Sequence, residues 1–241
     1  VGSEMCIRDR FLSYLISGIS LGSVYAIIAL GYTMVYGIAK MLNFAHGDII
    51  MIGGYISFCS MYYLNLPPIV ATILAVIVCT VLGIVIERLA YAPLRSAPSL
   101  AVLITAIGVS YLLQNLATYI TGGLARPYPE ISFLKKSFAV GSLNIKIITL
   151  LTPVLTILLV ISLVIFIKHT KTGMAMRAVS KDFDTARLMG IKVNSVITVT
   201  FIIGSFLAGV GSILYFTNYG QVSPTIGAMP GLKAFVAAVF G

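Results

Sequence analysis

The chain has 241 residues, of which 59% are hydrophobic and only 10% charged, and its formal net charge is +9. A soluble domain carries about a quarter charged residues, so this composition indicates a protein embedded in lipid. The basic residues lie in the connections between apolar runs, as expected from the positive-inside bias, and a nucleic-acid partner is therefore not expected.

Long charge-free stretches predict membrane-spanning helices. A helix needs roughly 20 apolar residues to cross the hydrocarbon core, and the alternating pattern of strands is absent. The predicted fold class is all-α, a polytopic transmembrane helix bundle. We predict spans over residues 11–31, 48–64, 69–87, 100–120, 147–168 and 195–216, with a seventh apolar segment from Gly231.

Both ends of the chain are unusual. The first ten residues, VGSEMCIRDR, are polar, follow no pattern and lack the apolar core of a signal peptide. We interpret residues 1–10 as a non-native leader and residues 11–241 as a single transmembrane domain. That domain is expected to be incomplete at its C-terminus, because AFVAAVFG lies inside an apolar run.

The stretch MLNFAHGDIIMIGGY places Asn43, His46 and Asp48 in an otherwise apolar region. Two interpretations are open. In the first, Gly47 breaks a helix at the membrane interface and Asp48 caps the next helix. In the second, the break lies inside the membrane near residues 43–48, where exposed helix ends line a transport path.

Small and polar residues predict contacts between the helices. Small residues recur at a spacing of four, which either lets helices approach closely in lipid or arises by chance in apolar helices rich in Gly and Ala. The pairs are Gly18 with Gly22, Gly204 with Ala208, and Ser205 with Gly209. In the fourth span, Gln114 and Asn115 are expected to face other helices.

The most basic connection is residues 168–194, KHTKTGMAMRAVSKDFDTARLMGIKVN, which the positive-inside bias places in the cytoplasm. Counting spans back from it places residues 121–146, which we expect to form a small ordered loop, outside. Within the basic connection, residues 173–181 are expected to be helical. Asp184 is predicted as the N-cap of a short helix that Gly190 ends in the left-handed conformation. This helix either docks in a partner's groove or contacts lipid headgroups.

Several catalytic motifs are missing from the sequence. There is no G-x-x-x-x-G-K-[ST] loop for phosphates, no H-E-x-x-H and no G-x-S-x-G. The cysteines and histidines show no metal-ligand spacing. We therefore expect no enzyme activity, no metal and no cofactor in this chain.

Five stretches of the chain, in the family's order, resemble the permease subunits of branched-chain amino acid ABC transporters. They are SLGSVYAIIALGYTMVYGIAKMLNFAHGDIIMIGGY, IERLAYAPLRSAPSLAVLITAIGVSYLLQN, GMAMRAVSKDFDTARLMGI, TFIIGSFLAGVGSIL and GLKAFVAAVFG. The resemblance covers nearly all of residues 11–241 and is closer to the first permease of the two-permease, high-affinity system.

The resemblance implies a multi-pass subunit of an importer for leucine, isoleucine or valine in the bacterial inner (plasma) membrane. Its implied partners are a second homologous permease, two ATP-binding subunits that hydrolyse ATP at the cytoplasmic face, and an extracytoplasmic substrate-binding protein. The alternative function is a related ABC permease for urea or short-chain amides, since those permeases share the N-x-A-H-G pattern.

The resemblance also implies roles for two groups of residues. The translocation path or hinge is expected at Asn43, Ala45, His46, Gly47 and Asp48. Here His46 would hold two half-helices together by hydrogen bonding, and Gly47 would let the chain turn. The segment that contacts the ATPases is expected to include Arg177, Ala178, Asp184, Ala186, Gly190 and Ile191.

Overall fold

The structure is a computed structural model that describes residues 2–95, 97–129, 137–140 and 143–240, with side chains for residues 10–95, 97–129 and 146–240. These residues form nine α-helices and four short strands. The helices are α1 (Gly2–Ala39), α2 (Ala45–Tyr62), α3 (Pro68–Ile86), α4 (Ser99–Thr121), α5 (Ile147–His169), α6 (Lys171–Lys181), α7 (Phe183–Leu188), α8 (Val193–Tyr219) and α9 (Ala228–Phe240). The all-α prediction is confirmed.

Among the described residues, five helical segments are long and apolar enough to cross a membrane, and they match five of the six predicted spans. They are Arg10–Ala39, Pro68–Leu94, Ser99–Thr121, Ile147–His169 and Val193–Tyr219. The second of these continues past α3 through a π-helical turn, Glu87–Tyr91, and a 3-10 turn, Ala92–Leu94. The seventh apolar segment begins at Ala228 rather than Gly231.

Helix α2 corresponds to the predicted span 48–64. Its length and composition do not place it among the five helical segments that could cross a membrane. Thirteen of its eighteen residues are buried in the protein. It packs against α3, α4, α8 and α9. A helix shielded from lipid can carry polar groups at membrane depth, because they face other helices rather than hydrocarbon. Helices α2 and α8 therefore form the centre of the bundle.

The small-residue pairs of α8 make the predicted close contacts, whereas the pair in α1 does not. A Cβ on Gly204 would lie 2.9 Å from the carbonyl oxygen of Gly31, and one on Gly209 would lie 3.1 Å from the Cα of Val76. Nothing described lies within 4 Å of a Cβ on Gly18 or Gly22. Spacing alone does not distinguish a helix-contact face from a face with no neighbour in this chain.

The two ends of the bundle differ. The β1 end carries β1 (Arg126–Pro127), which pairs antiparallel with β4 (Gln221–Val222), Arg126 opposite Val222. A hairpin of β2 (Ser137–Val140) and β3 (Leu143–Lys146) precedes α5. Strands β1, β2 and β3 lie within the loop of residues 121–146, and β4 lies between α8 and α9. Residues 130–136 and 141–142 of that loop lie outside the described part. The α7 end carries α6, α7 and the residues between α1 and α2.

Candidate functional site

The helix break lies at residues 40–44, between the end of α1 at Ala39 and the start of α2 at Ala45. Lys40 has a φ of 54°, and its N–H donates to the carbonyl of Tyr36 over 2.9 Å. A residue in the left-handed conformation thus ends α1, as is common at the C-termini of helices. The prediction that Gly47 turns the chain and that Asp48 is the N-cap is wrong. Both residues lie in the first turn of α2, because the turn is already made at Lys40.

Asn43 lies inside the break and is buried, with 2% of its surface exposed. Its Oδ1 accepts a hydrogen bond of 3.0 Å from the hydroxyl of Tyr91, which also lies 3.4 Å from the carbonyl oxygen of Leu42. Tyr91 comes from the π-helical turn at the end of the α3 span, and such turns often mark functional sites. Tyr91 thus fixes the break, a role that sequence reasoning missed although IERLAYAPLR was noticed.

His46 connects α2 to α1. Its ring is buried, and its Nε2 donates to the carbonyl oxygen of Ile28 over 3.2 Å. A carbonyl only accepts, so the hydrogen belongs on Nε2. The ring of Tyr32 packs edge-on against the imidazole at 5.8 Å between centroids. The hydrogen bond expected between the two half-helices is therefore present.

Gly47 makes a close contact with α9. A Cβ at this position would overlap the carbonyl oxygen of Gly227 and lie 3.1 Å from the Cα of Gly231. Gly47, Gly227 and Gly231 are therefore small so that α2 and the start of α9 can touch through their backbones. Ala45, fully buried at the start of α2, packs in the same core. The spacing of four between Gly227 and Gly231 is the sequence feature that could have predicted this close helix contact.

Asp48 is buried and bonded to α4. Its Oδ1 accepts from the amide of Gln114 over 2.9 Å, and the same amide lies 3.1 Å from the hydroxyl of Ser110. Its Oδ2 has no hydrogen-bond partner among the described residues. Gln114 therefore faces another helix as predicted, but Asn115 is exposed and bonds to the carbonyl of Tyr111 in its own helix.

The short helix α7 is built as predicted, apart from its cap. Asp182, not Asp184, is the N-cap: its carboxylate accepts from the N–H of Asp184 over 3.0 Å and from the hydroxyl of Thr185 over 2.6 Å. These hydrogen bonds hold the pKa of Asp182 below its usual range. Helix α7 starts earlier than expected because Asp182 is already extended, with φ −153° and ψ 124°. Asp184 is an exposed first-turn residue 3.6 Å from Arg187.

Some of the other residues in the predicted ATPase-contacting segment hold α7 in place, and others are exposed on the surface. Gly190 has a φ of 80° and ends the helix as predicted. Ala186 is buried, and its carbonyl accepts from the N–H of Ile191 over 3.1 Å. On α6, Arg177 is exposed and Ala178 half-buried. The end of α7 exposes two apolar side chains, since Leu188 and Met189 are 87% and 78% exposed, next to the exposed Arg187.

Lys40 brings the two predicted regions together. Its Nζ donates to the carbonyl of Lys181, at the end of α6, over 3.4 Å. The same ammonium lies 5.4 Å from the centroid of the Phe183 ring, at the start of α7. The residue that turns the chain at the break is therefore also the residue that contacts the α6–α7 junction.

A buried ion pair lies at the same end of the bundle. Glu87, in the π-helical turn, pairs with Arg95 and accepts from the hydroxyl of Thr198 in α8 over 3.1 Å. Only 1% of the Glu87 side chain is exposed. Removing one partner of such a pair leaves an uncompensated buried charge. This ion pair was not predicted from the sequence. No group of three His, Cys, Asp or Glu that could hold a metal occurs among residues with described side chains.

In the described part of the chain, five apolar spans lie around α2, a buried helix that carries His46 and Asp48, and they define a multi-pass membrane protein. The family model for the permease component of branched-chain amino acid transport systems matches residues 14–241, and the chain belongs to that permease family.

Individual relatives agree over nearly the whole chain. It is 40% identical to the high-affinity branched-chain amino acid transport system permease protein BraD of Pseudomonas aeruginosa over 243 residues, covering 96% of this chain and 79% of BraD. It is 40% identical to LivH of Salmonella typhimurium and 39% identical to LivH of Escherichia coli, both over 244 residues with the same coverage of each chain. No solved structure matches the chain at a significant level.

Proposed function

We propose that the chain is a permease subunit of an ATP-driven importer that moves leucine, isoleucine or valine across the bacterial inner membrane. The observation that carries this proposal is the family match over residues 14–241. It is supported by relatives whose names specify branched-chain amino acid transport. ATP hydrolysis belongs to separate subunits, and a second homologous permease completes the pathway.

The α7 end faces the cytoplasm in this proposal, and α7 docks on an ATP-binding subunit. Leu188 and Met189 supply an apolar surface of the kind that an amphipathic helix lays into a partner's groove. The helix is held in place by the Asp182 cap, the buried Ala186 and the left-handed Gly190. An isolated helix this short would be marginal in water, so the anchoring residues provide the rigidity that docking needs.

Movement of α7 reaches the membrane through Lys40. A partner shifts an equilibrium only by contacting two states differently. ATP-driven closure of the ATPases moves α7, and the contacts of Lys40 with Lys181 and Phe183 transfer that movement to the break at residues 40–44. Hydrogen bonds from Tyr91 to Asn43 and from His46 to Ile28 then carry it to α3 and α1.

The break acts as a joint, with α2 as the moving wall of the path. Gly47 is the contact point with α9, and Asp48 is the contact point with α4. Ala45 keeps the first turn of α2 small enough to pack in the core. A path for a zwitterion with an apolar side chain needs few fixed charges, and the described α2 carries one, at Asp48.

The test is uptake by proteoliposomes that contain this chain, the second permease, both ATPases and the binding protein. We expect ATP-dependent accumulation of labelled leucine, and none when α7 is disrupted by Ala186→Asp. Uptake of urea without any branched-chain amino acid, or leucine uptake that persists without ATP, contradicts the proposal. Omitting the binding protein shows whether substrate delivery depends on it.

A further inference from the structure

A polar pocket of about 400 Å³ lies at the β1 end, between α1, the first turn of α5 and the end of α8. Its size is in the usual range for small-molecule sites, ~300–1,000 Å³. Among the residues with described side chains, six polar ones line it: Ser13, Ser17, Ser20, Lys146, Thr149 and Asn218. Ile16 and Leu21 add aliphatic surface to the lining. None of these described lining residues is acidic.

The serines occupy one face of α1, because positions 13, 17 and 20 recur at helical spacing. Ser20 is 3% exposed, and its hydroxyl is buried without a hydrogen-bond partner among the described residues. Ser23, one turn further, instead donates to the carbonyl of Ile19 over 2.8 Å. A buried polar atom without a partner is uncommon and requires an explanation. Ser20 is one of the residues that line the pocket.

The opposite wall suits an anion. Lys146 precedes α5, and no side chain in the described part of the protein caps that helix end. The first N–H groups of a helix carry partial positive charge and bind carboxylates. Thr149 lies in the same turn. Asn218 donates its amide to the carbonyl of Leu214 over 2.9 Å, and its Oδ1 can accept a hydrogen bond from another donor.

We propose that this pocket binds the substrate amino acid where it enters the permease from the binding protein. The carboxylate lies against Lys146 and the start of α5, and the ammonium group bonds to Asn218 Oδ1 and the serine hydroxyls. The branched side chain lies on Ile16 and Leu21. This inference rests on the proposed function, in which the β1 end is extracytoplasmic, and it adds the place and the contacts of the substrate.

The test is photolabelling of the complete transporter with a diazirine analogue of leucine, with adducts mapped by mass spectrometry. Leucine uptake is measured on the same proteoliposomes. We expect adducts within residues 13–21 and the first turn of α5, suppressed by excess leucine. Lys146→Gln is expected to weaken half-maximal labelling by about tenfold, and Ser20→Ala by about fivefold. Lys146→Arg is expected to restore it.

Ser23→Ala is the matched control, since its hydroxyl is already bonded within α1. Unchanged labelling by Ser23→Ala alongside the two losses supports the site. Active leucine uptake with adducts elsewhere, or with Ser20→Ala and Lys146→Gln labelling like the wild type, overturns the site and leaves the proposed function intact. Absence of leucine uptake by the wild-type complex overturns both.

Discussion

His46 donates its Nε2 hydrogen to the carbonyl oxygen of Ile28 across 3.2 Å, so the first turn of α2 is tied to the middle of α1. The bond crosses the break at residues 40–44, where the chain itself provides only a short irregular link. In the proposed mechanism this bond makes the two half-helices move together and transmits a displacement at the break to the wall of the bundle.

The first prediction concerns that bond. His46→Ala removes a buried donor and the edge-on contact with Tyr32, and we expect it to lower the stability of the permease by about 2 kcal/mol. Leucine uptake is expected to fall at least about tenfold, while ATP hydrolysis continues. His46→Gln, which retains a donor, should recover part of both. Wild-type uptake by His46→Ala would show that the bond is not used.

The second prediction concerns packing at Gly47. Gly47→Ala forces a methyl group into the carbonyl of Gly227 and is expected to cost about 1–3 kcal/mol, because backbone cannot move aside as a flexible side chain does. Gly22→Ala is the control, since nothing described lies within 4 Å of a Cβ there. Thermal unfolding of the purified complex distinguishes the two. Equal melting temperatures for both variants would contradict the contact with α9.

The third prediction concerns the cap of α7. Asp182→Ala removes the acceptor of two hydrogen bonds and is expected to reduce coupled uptake several-fold. Asp182→Asn should be tolerated, because asparagine also caps helices. Asp184→Ala should have little effect, since Asp184 is exposed and its ion pair with Arg187 lies at the surface. The ratio of uptake to ATP hydrolysis is the measurement.

The pH dependence of this cap follows from its lowered pKa. A carboxylate whose pKa is lower in the folded protein stabilises it above the unfolded pKa, ~3.9, and loses that effect as the pH falls through the folded value. Coupling through Asp182 is therefore expected to stay constant from about pH 5 to 8. A loss of coupling in wild type near neutral pH that Asp182→Asn abolishes would contradict this assignment.

The fourth prediction concerns Lys40. Lys40→Met removes the contacts with Lys181 and Phe183, and we expect ATP hydrolysis to continue with uptake reduced at least about fivefold. Lys192→Met is the control, because Lys192 is an exposed cation on the same end of the bundle. If both variants keep the wild-type ratio of uptake to ATP hydrolysis, the movement of α7 reaches the break through another contact.

Much of the fold followed from hydropathy, because long charge-free stretches have few alternatives to membrane helices. The turn at Lys40 was not predicted, since a lysine with positive φ is uncommon and Gly47 was the more usual candidate. The cap was misplaced by two residues because Asp182 and Asp184 are equally good N-cap residues in a sequence. Only the extended backbone of Asp182 distinguishes them.

The contacts between distant segments were beyond the sequence. The sequence spacing of Tyr91 and Asn43 does not indicate that their side chains form a hydrogen bond. The spacing of Gly47 and Gly227 does not indicate their contact either, because they come together only when α9 packs on α2. The polar pocket required α1, α5 and α8 to converge. The break and α7 were each predicted from the sequence as segments with a role in transport. The contact between them through Lys40 is seen only in the structure.

The central claim, that the break and α7 move as one unit, is tested most directly by restoring their contact with a chemical crosslink. Residues 40 and 183 are replaced by cysteine in a chain whose Cys6, Cys59 and Cys79 are alanine, and a short bifunctional thiol reagent joins them. We predict uncoupled ATP hydrolysis before crosslinking and recovered leucine uptake afterwards, reversed when the link is cleaved. Uptake that is unimpaired before crosslinking, or that the crosslink abolishes, would contradict the account.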